Sequence, residues 1–193
     1  MARLREFDTD AVLDAAMQTF WLRGYEATSL VDLMAATGLQ KGSIYKAFKD
    51  KHSLFMLALR RYLDQSNDLS RQYLADPISP RAGVSGWLQV IVSLRGNDQT
   101  RRGCFMLNSL VELAPHDEAV KTLLDEHLCH VQLMLTRAIA KGQSLGEFRA
   151  DIPAEELSLL VLNLLQGLVN RSKCAVAVDA LQQQVETLLK LLI

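Results

Sequence analysis

Apolar residues recur at intervals of three and four along almost the whole chain, the period of helices that bury one face. Within residues 8–23, Leu13, Ala16, Met17 and Phe20 fall on one stripe, and Gly24 marks a stop. Ser29 followed by Asp32 resembles a capping box, which opens a short second helix with Leu30, Leu33 and Met34 and ends at Gly38. A third short helix is predicted over 40–48, with Ile44, Tyr45 and Phe48 on one side. Asp50 caps a long fourth helix from Lys51 to about Ala75, closed by Pro77 and Pro80. Further helices are predicted over 81–95, 101–114, 117–141, 154–171 and 178–192, with Pro153 suited to the first turn of its helix. No segment alternates convincingly enough for a strand. The expected fold is all-α, about nine helices, with a three-helix head over 1–50 and a larger helical domain over 51–193.

Composition agrees. Of 193 residues, 49% are hydrophobic, and only 4 Pro and 10 Gly are available for the turns of a β-sandwich. With 21 basic and 22 acidic residues the net charge is −1, so any affinity for polyanions must be local. It is local: Lys41, Lys46, Lys49, Lys51, Arg60 and Arg61 face only Asp50 between 38 and 61, a segment charge of +5. The longest run without a charge, Leu157 to Asn170, is 14 residues. A membrane span needs about 20, so no membrane partner is expected. The opening MARLREFDTDAV has Arg3 and Arg5 but no apolar stretch behind them, so no secretory leader is expected. Cys104, Cys129 and Cys174 are widely spaced and odd in number, which fits a reducing cytoplasm.

The stretch SLVDLMAATGLQKGSIYKAF, residues 29–48, is two short helices around a glycine turn, the helix-turn-helix pattern whose second helix enters the DNA major groove. That groove is about 12 Å wide, so a reading helix must be small and rich in donors on its outer side. Gln40, Lys41, Gly42, Ser43 and Lys46 meet that need. Tyr45, Lys49 and Lys51 are better placed for phosphates, Lys51 at a helix start; Thr28 and Ser29 are similarly placed at the start of the preceding helix. The last two helices are a different kind of segment. Residues 157–169 are apolar on every face, including Leu160, Leu164 and Leu168, and the final helix has a seam of Val178, Leu181, Val185, Leu188 and Leu192. Paired with a second copy about a two-fold axis, these surfaces would form a four-helix interface; the alternative is a thick core within one chain.

The stretch GYEATSLVDLMAATGLQKGSIYKAFKDKHSLF resembles the N-terminal domain of the TetR family of bacterial transcriptional regulators. The Gly-Tyr-x-x-Thr-Ser opening, the Ala-x-x-Gly turn, the Lys-Gly-Ser-Ile-Tyr segment and the Phe-x-x-Lys-x-x-Leu continuation match in order and spacing, over about residues 8–60. The resemblance implies a homodimer on a palindromic double-stranded operator, repression relieved by a small molecule, and no cofactor. It places Lys41, Gly42, Ser43, Tyr45 and Lys46 at the groove, and Thr28, Tyr45 and Lys51 on phosphates. Gln40 and His52 depart from the family pattern, where a Ser or Thr cap and an acid are usual.

The ligand site is expected between about 81 and 170, where Trp87, Phe105, Met106, Asn108, Glu112, Met134, Asn163 and Gln166 offer apolar walls with polar anchors. Glu112 would select a cation. Cys104 follows Arg101, Arg102 and Gly103 near a helix start, a setting that favours a reactive thiol. Its Gly-Cys context resembles electrophile-sensing members of the family, with Lys173 as the lysine partner, so a thiol-based sensor is an alternative. His127, Cys129 and His130 are close in sequence, but 129 points away from the other two on a helix, so no metal site is expected. No Gly-rich phosphate loop, HExxH or GxSxG is present, so an enzyme is not expected. A helical adaptor that binds no DNA would explain the apolar tail but not the 41–45 segment.

Overall fold

The computed structural model describes residues 7–174 and 176–193; Arg3 and Arg5 lie outside the described residues. Among the described residues are α1 (Thr9–Arg23), α2 (Leu30–Thr37), α3 (Lys41–Phe48), α4 (Lys51–Leu74), α5 (Pro80–Gly96), α6 (Phe105–Glu112), α7 (Glu118–Ser144), α8 (Ala154–Arg171) and α9 (Val178–Leu191), with no strand. Local chemistry sets the starts. Asp8, Ser29, Asp50, Ser79 and Asp117 each accept hydrogen bonds from backbone N–H groups of the first turn, and Ser29 and Asp32 close a reciprocal box. Gly24 and Gly38 follow α1 and α2 with φ of 84° and 70°, a region that side chains disfavour.

The sixth helix begins later than the expected 101. Arg101 and Gly103 take φ of 51° and 69°, and Asp98 gathers Thr100 and Arg102 into a turn. Those left-handed residues cannot be helical, so α6 starts at Phe105 with Cys104 as its N-cap.

Two apolar clusters fill the molecule. The lower joins α1, α2 and α3 to the first half of α4, to α6 and to the start of α7, through residues such as Phe20, Leu33, Ile44, Phe55, Phe105 and Leu124. The upper joins the end of α4 to α5, α7, α8 and α9. A division at residue 50 therefore runs through a continuous lower core, because Leu54, Phe55, Ala58 and Leu59 of α4 pack with the three-helix head. Arg61 of α4 adds a fork onto Asp14 of α1, 2.6 and 2.8 Å, and reaches Asp10 at 2.9 Å. Its charge is thereby removed from the basic segment.

The terminal seam corrects an expectation. Leu181, Val185, Leu188 and Leu192 are buried inside this one chain, and so is Leu168 of α8. Helix α9 lies antiparallel on α5: Val178 sits over Gly96, where a Cβ would come within 2.8 Å, and Gln182 donates to Ser93 at 2.9 Å. A three-four seam demands a helical neighbour without saying which one, and α5 of the same chain provides it. On α8 the two faces separate. Leu157, Val161, Leu165 and Leu168 point inward, while Leu159, Leu160 and Leu164 remain 45%, 55% and 38% exposed.

Candidate nucleic-acid interface and internal cavity

Ile44 and Phe48 seat α3 on the head, which turns its other face outward. On that face Gln40, Lys41, Gly42, Ser43, Tyr45, Lys46 and Lys49 are exposed. Gln40 makes no side-chain cap bond, so its amide is available. Lys41 leans over the Tyr45 ring, 5.8 Å from its centroid. Lys51 stands 4.3 Å over the Tyr25 ring at the α4 start, which fixes its position beside the reader.

Two residues sit differently from the reading of the sequence. Thr28 is fully buried, and its hydroxyl donates to the Gly24 carbonyl at 2.6 Å. Its hydroxyl is spent locking the α1–α2 turn and is not presented to the outer surface. Ser29 is exposed, but its hydroxyl is committed to the capping box, donating to Asp32 at 2.6 Å and accepting from the Asp32 N–H at 3.1 Å.

A Cβ on Gly42 would meet nothing within 4 Å. The fold does not need glycine here, and in a helix it costs about 1 kcal/mol relative to Ala. Close approach to a groove would favour it. Gly42→Leu is therefore expected to leave thermal stability unchanged or raised, while operator affinity falls at least about tenfold. A melting curve and a DNA titration on the same sample check both halves.

Between the two clusters lies a cavity of about 390 Å³. Trp87, Met106 and Gln166 line it as expected. Phe105 and Met134 do not: Phe105 is spent in the lower aromatic cluster against Phe55 and Tyr62, and Met134 packs against the upper core. Asn108, Glu112 and Asn163 line a separate outer groove. Asn108 is held by donation to the Arg102 carbonyl and by Lys173 at 3.0 Å. Glu112 is not a selector of cations, because its carboxylate accepts the backbone N–H groups of Tyr25 and Glu26 at 3.0 and 2.9 Å. It is a latch from α6 onto the head. A second latch joins His52 of α4 to Asp117 of α7 at 2.6 Å.

Several cavity residues escaped the sequence reading, above all Tyr62, Gln65, Ser66 and Ser70 of α4 and Arg95 of α5. The available signal was the inward stripe of α4, where polar residues interrupt an otherwise apolar row. Arg95 donates to the Tyr62 hydroxyl at 2.8 Å, and that oxygen lies 3.2 Å from the Cys104 sulfur. Burial pushes the Tyr62 phenol well above its ordinary range, so it remains a donor. Cys104 thus has Tyr62 as its partner; the Lys173 stem instead covers Gly103, where a Cβ would come within 2.8 Å. Cys129 and His130 are exposed while His127 is buried, and among the described residues no cluster of metal-ligating side chains forms.

Burial, reinforced by His130, lowers the His127 pKa to about 4. The unfolded chain binds a proton there from about pH 6.5 downward and the folded one does not until about 4. Stability from this group is complete above pH 6.5 and drains by up to about 3 kcal/mol as pH falls to 4. Urea titrations across that range should show the loss, and His127→Gln should flatten it.

A three-helix head presenting an exposed cationic helix beneath a cavity-bearing helical body defines a helix-turn-helix DNA-binding regulator. The model for bacterial regulatory proteins of the tetR family matches residues 12–57, and the model for the tetracyclin repressor-like C-terminal domain matches 81–188. The chain belongs to the TetR family of transcriptional regulators. It is 30% identical to the transcriptional repressor ComR of Escherichia coli (strain K12) over 98% of this chain and 90% of that protein. A cysteine-substituted form of the TetR family regulator CifR, solved with a 26-base-pair operator, is 32% identical with a TM-score of 0.87 and full coverage of both chains. The reduced form of NemR from E. coli covers 95% of this chain and 96% of its own at a TM-score of 0.85; at 17% identity it shares the fold alone. No described helix is long and apolar enough to cross a membrane.

Proposed function

We propose that this protein is a cytoplasmic homodimeric repressor, acting by binding alone, which leaves its operator when a small molecule occupies the cavity. The observation that carries the reading is α6. Its N-cap, Cys104, and its first turn, Met106 and Leu107, line the cavity, and its last residue, Glu112, holds the α1–α2 turn of the head. A ligand that displaces one end of this short helix moves the other. The heads then leave the spacing of about 34–36 Å, or its multiples, that successive major grooves require. The outer stripe of α8, with Leu159, Leu160 and Leu164, is the surface offered to the second copy.

Selection of sequences from random DNA tests the reading. A palindromic site should emerge, with affinity that falls steeply as salt rises. Tyr45→Ala should weaken all sequences alike, whereas Lys41→Ala should also change the preferred bases. Recovery of no sequence preference would sink it.

A further inference from the structure

The cavity has a distinctive charge pattern. None of the described residues lining it is acidic, and Arg95 is its one formal charge at neutral pH. Among the described residues that guanidinium has no carboxylate partner. Asp98, one turn on, is taken by Arg102 at 3.0 Å. Arg95 instead rests on aromatic faces, 4.8 Å from the Trp21 centroid and 5.6 Å from that of Tyr62, and gives one hydrogen bond to the Tyr62 hydroxyl. Arg102 stacks on the same Trp21 ring at 4.0 Å, but its charge is balanced by Asp98, so that pair supplies no anion to Arg95. A half-buried cation without an anion is costly, and ring faces compensate only partly. Arginine keeps further N–H donors in a fork suited to a carboxylate.

Much of the remaining lining is apolar, with Trp87 and Ile91 on the same face of α5 as Arg95, and Val131, Leu162 and Leu165 from α7 and α8. His127 also lines the space, its Nδ1 buried and without a hydrogen-bond partner among the described residues. A polar ring with a free nitrogen and a guanidinium with spare donors in one cavity suit a polar, anionic ligand.

We propose that the cavity selects an organic anion, a carboxylate on an apolar body, with its charge on Arg95 and Tyr62 and its body against Trp87 and the aliphatic wall; this rests on the cavity being the effector site. Organic cations are excluded by the same Arg95, and neutral ligands of equal shape bind more weakly. The body is a single chain or a fused ring pair, since about 390 Å³ lies near the lower end of known ligand sites.

The test uses the full-length protein and the neutral dye N-phenylnaphthylamine, which reports cavity occupancy whatever the charge preference. Trp21 and Trp87, the chain's 2 tryptophans, both line the cavity and give a second signal. Competitors are octanoate, octanamide and octylamine, with naphthoate and naphthamide separating aliphatic from aromatic bodies. At least one carboxylate should displace the dye about tenfold or more tightly than its amide, and octylamine should fail. Arg95→Gln should bring the carboxylate-to-amide ratio to about one, and Arg95→Lys should keep it above one. Equal displacement by amide and carboxylate, or a preference that survives Arg95→Gln, overturns the anion proposal and leaves the effector-site reading intact. Failure of the dye to bind overturns both.

Discussion

A chain carrying Leu160→Glu and Leu164→Glu is expected to run as a monomer and to lose operator affinity by about two orders of magnitude or more. Both side chains lie on the outer stripe of α8, 55% and 38% exposed beside Leu159 at 45%. Burying each against a second copy contributes about 1.5–3 kcal/mol. In a two-fold interface each substitution enters from both copies, so four like charges are brought into one patch and must also be desolvated. Affinity falls because the second head no longer binds as part of the same molecule. Light scattering and an operator titration on one preparation measure both effects. A persistent dimer, or a monomer that binds the full operator undiminished, would show that the pairing surface lies elsewhere. Leu188→Glu is the informative contrast: it places a charge at a position 2% exposed between α9 and the body, so it should lower the melting temperature.

Glu112→Ala is expected to free the head from the body. The change removes the acceptor of two backbone N–H groups, at 3.0 and 2.9 Å, from the turn that joins α1 to α2. The Tyr25 donor is partly buried, so its loss should cost about 1–3 kcal/mol. Amide exchange at Tyr25 and Glu26 should quicken by at least about tenfold, with a matching loss in urea stability. Glu112→Gln, which retains one acceptor oxygen, should fall between. Protection that is unchanged in the alanine variant would refute the latch. The close approach of Gly24 belongs to the same contact, since a Cβ there would stand 2.9 Å from the Glu112 carboxylate.

The sequence by itself determined what neighbours in the chain decide. Every predicted helix is present, and the caps at Ser29 and Asp50 act as read, because a side chain and the N–H groups it satisfies lie within three residues. The reader helix was legible for the same reason, its buried and exposed positions alternating over only 8 residues. Contacts between distant segments were not. Glu112 meets a turn 86 and 87 residues away, Arg95 meets Tyr62 across 33, and the α9 seam turned out to face α5 of its own chain rather than a partner. Periodicity states that a face must be covered, and residue type states that a charge or an N–H must be satisfied. Which partner does so is set by how the helices pack, and only the tertiary structure decided that.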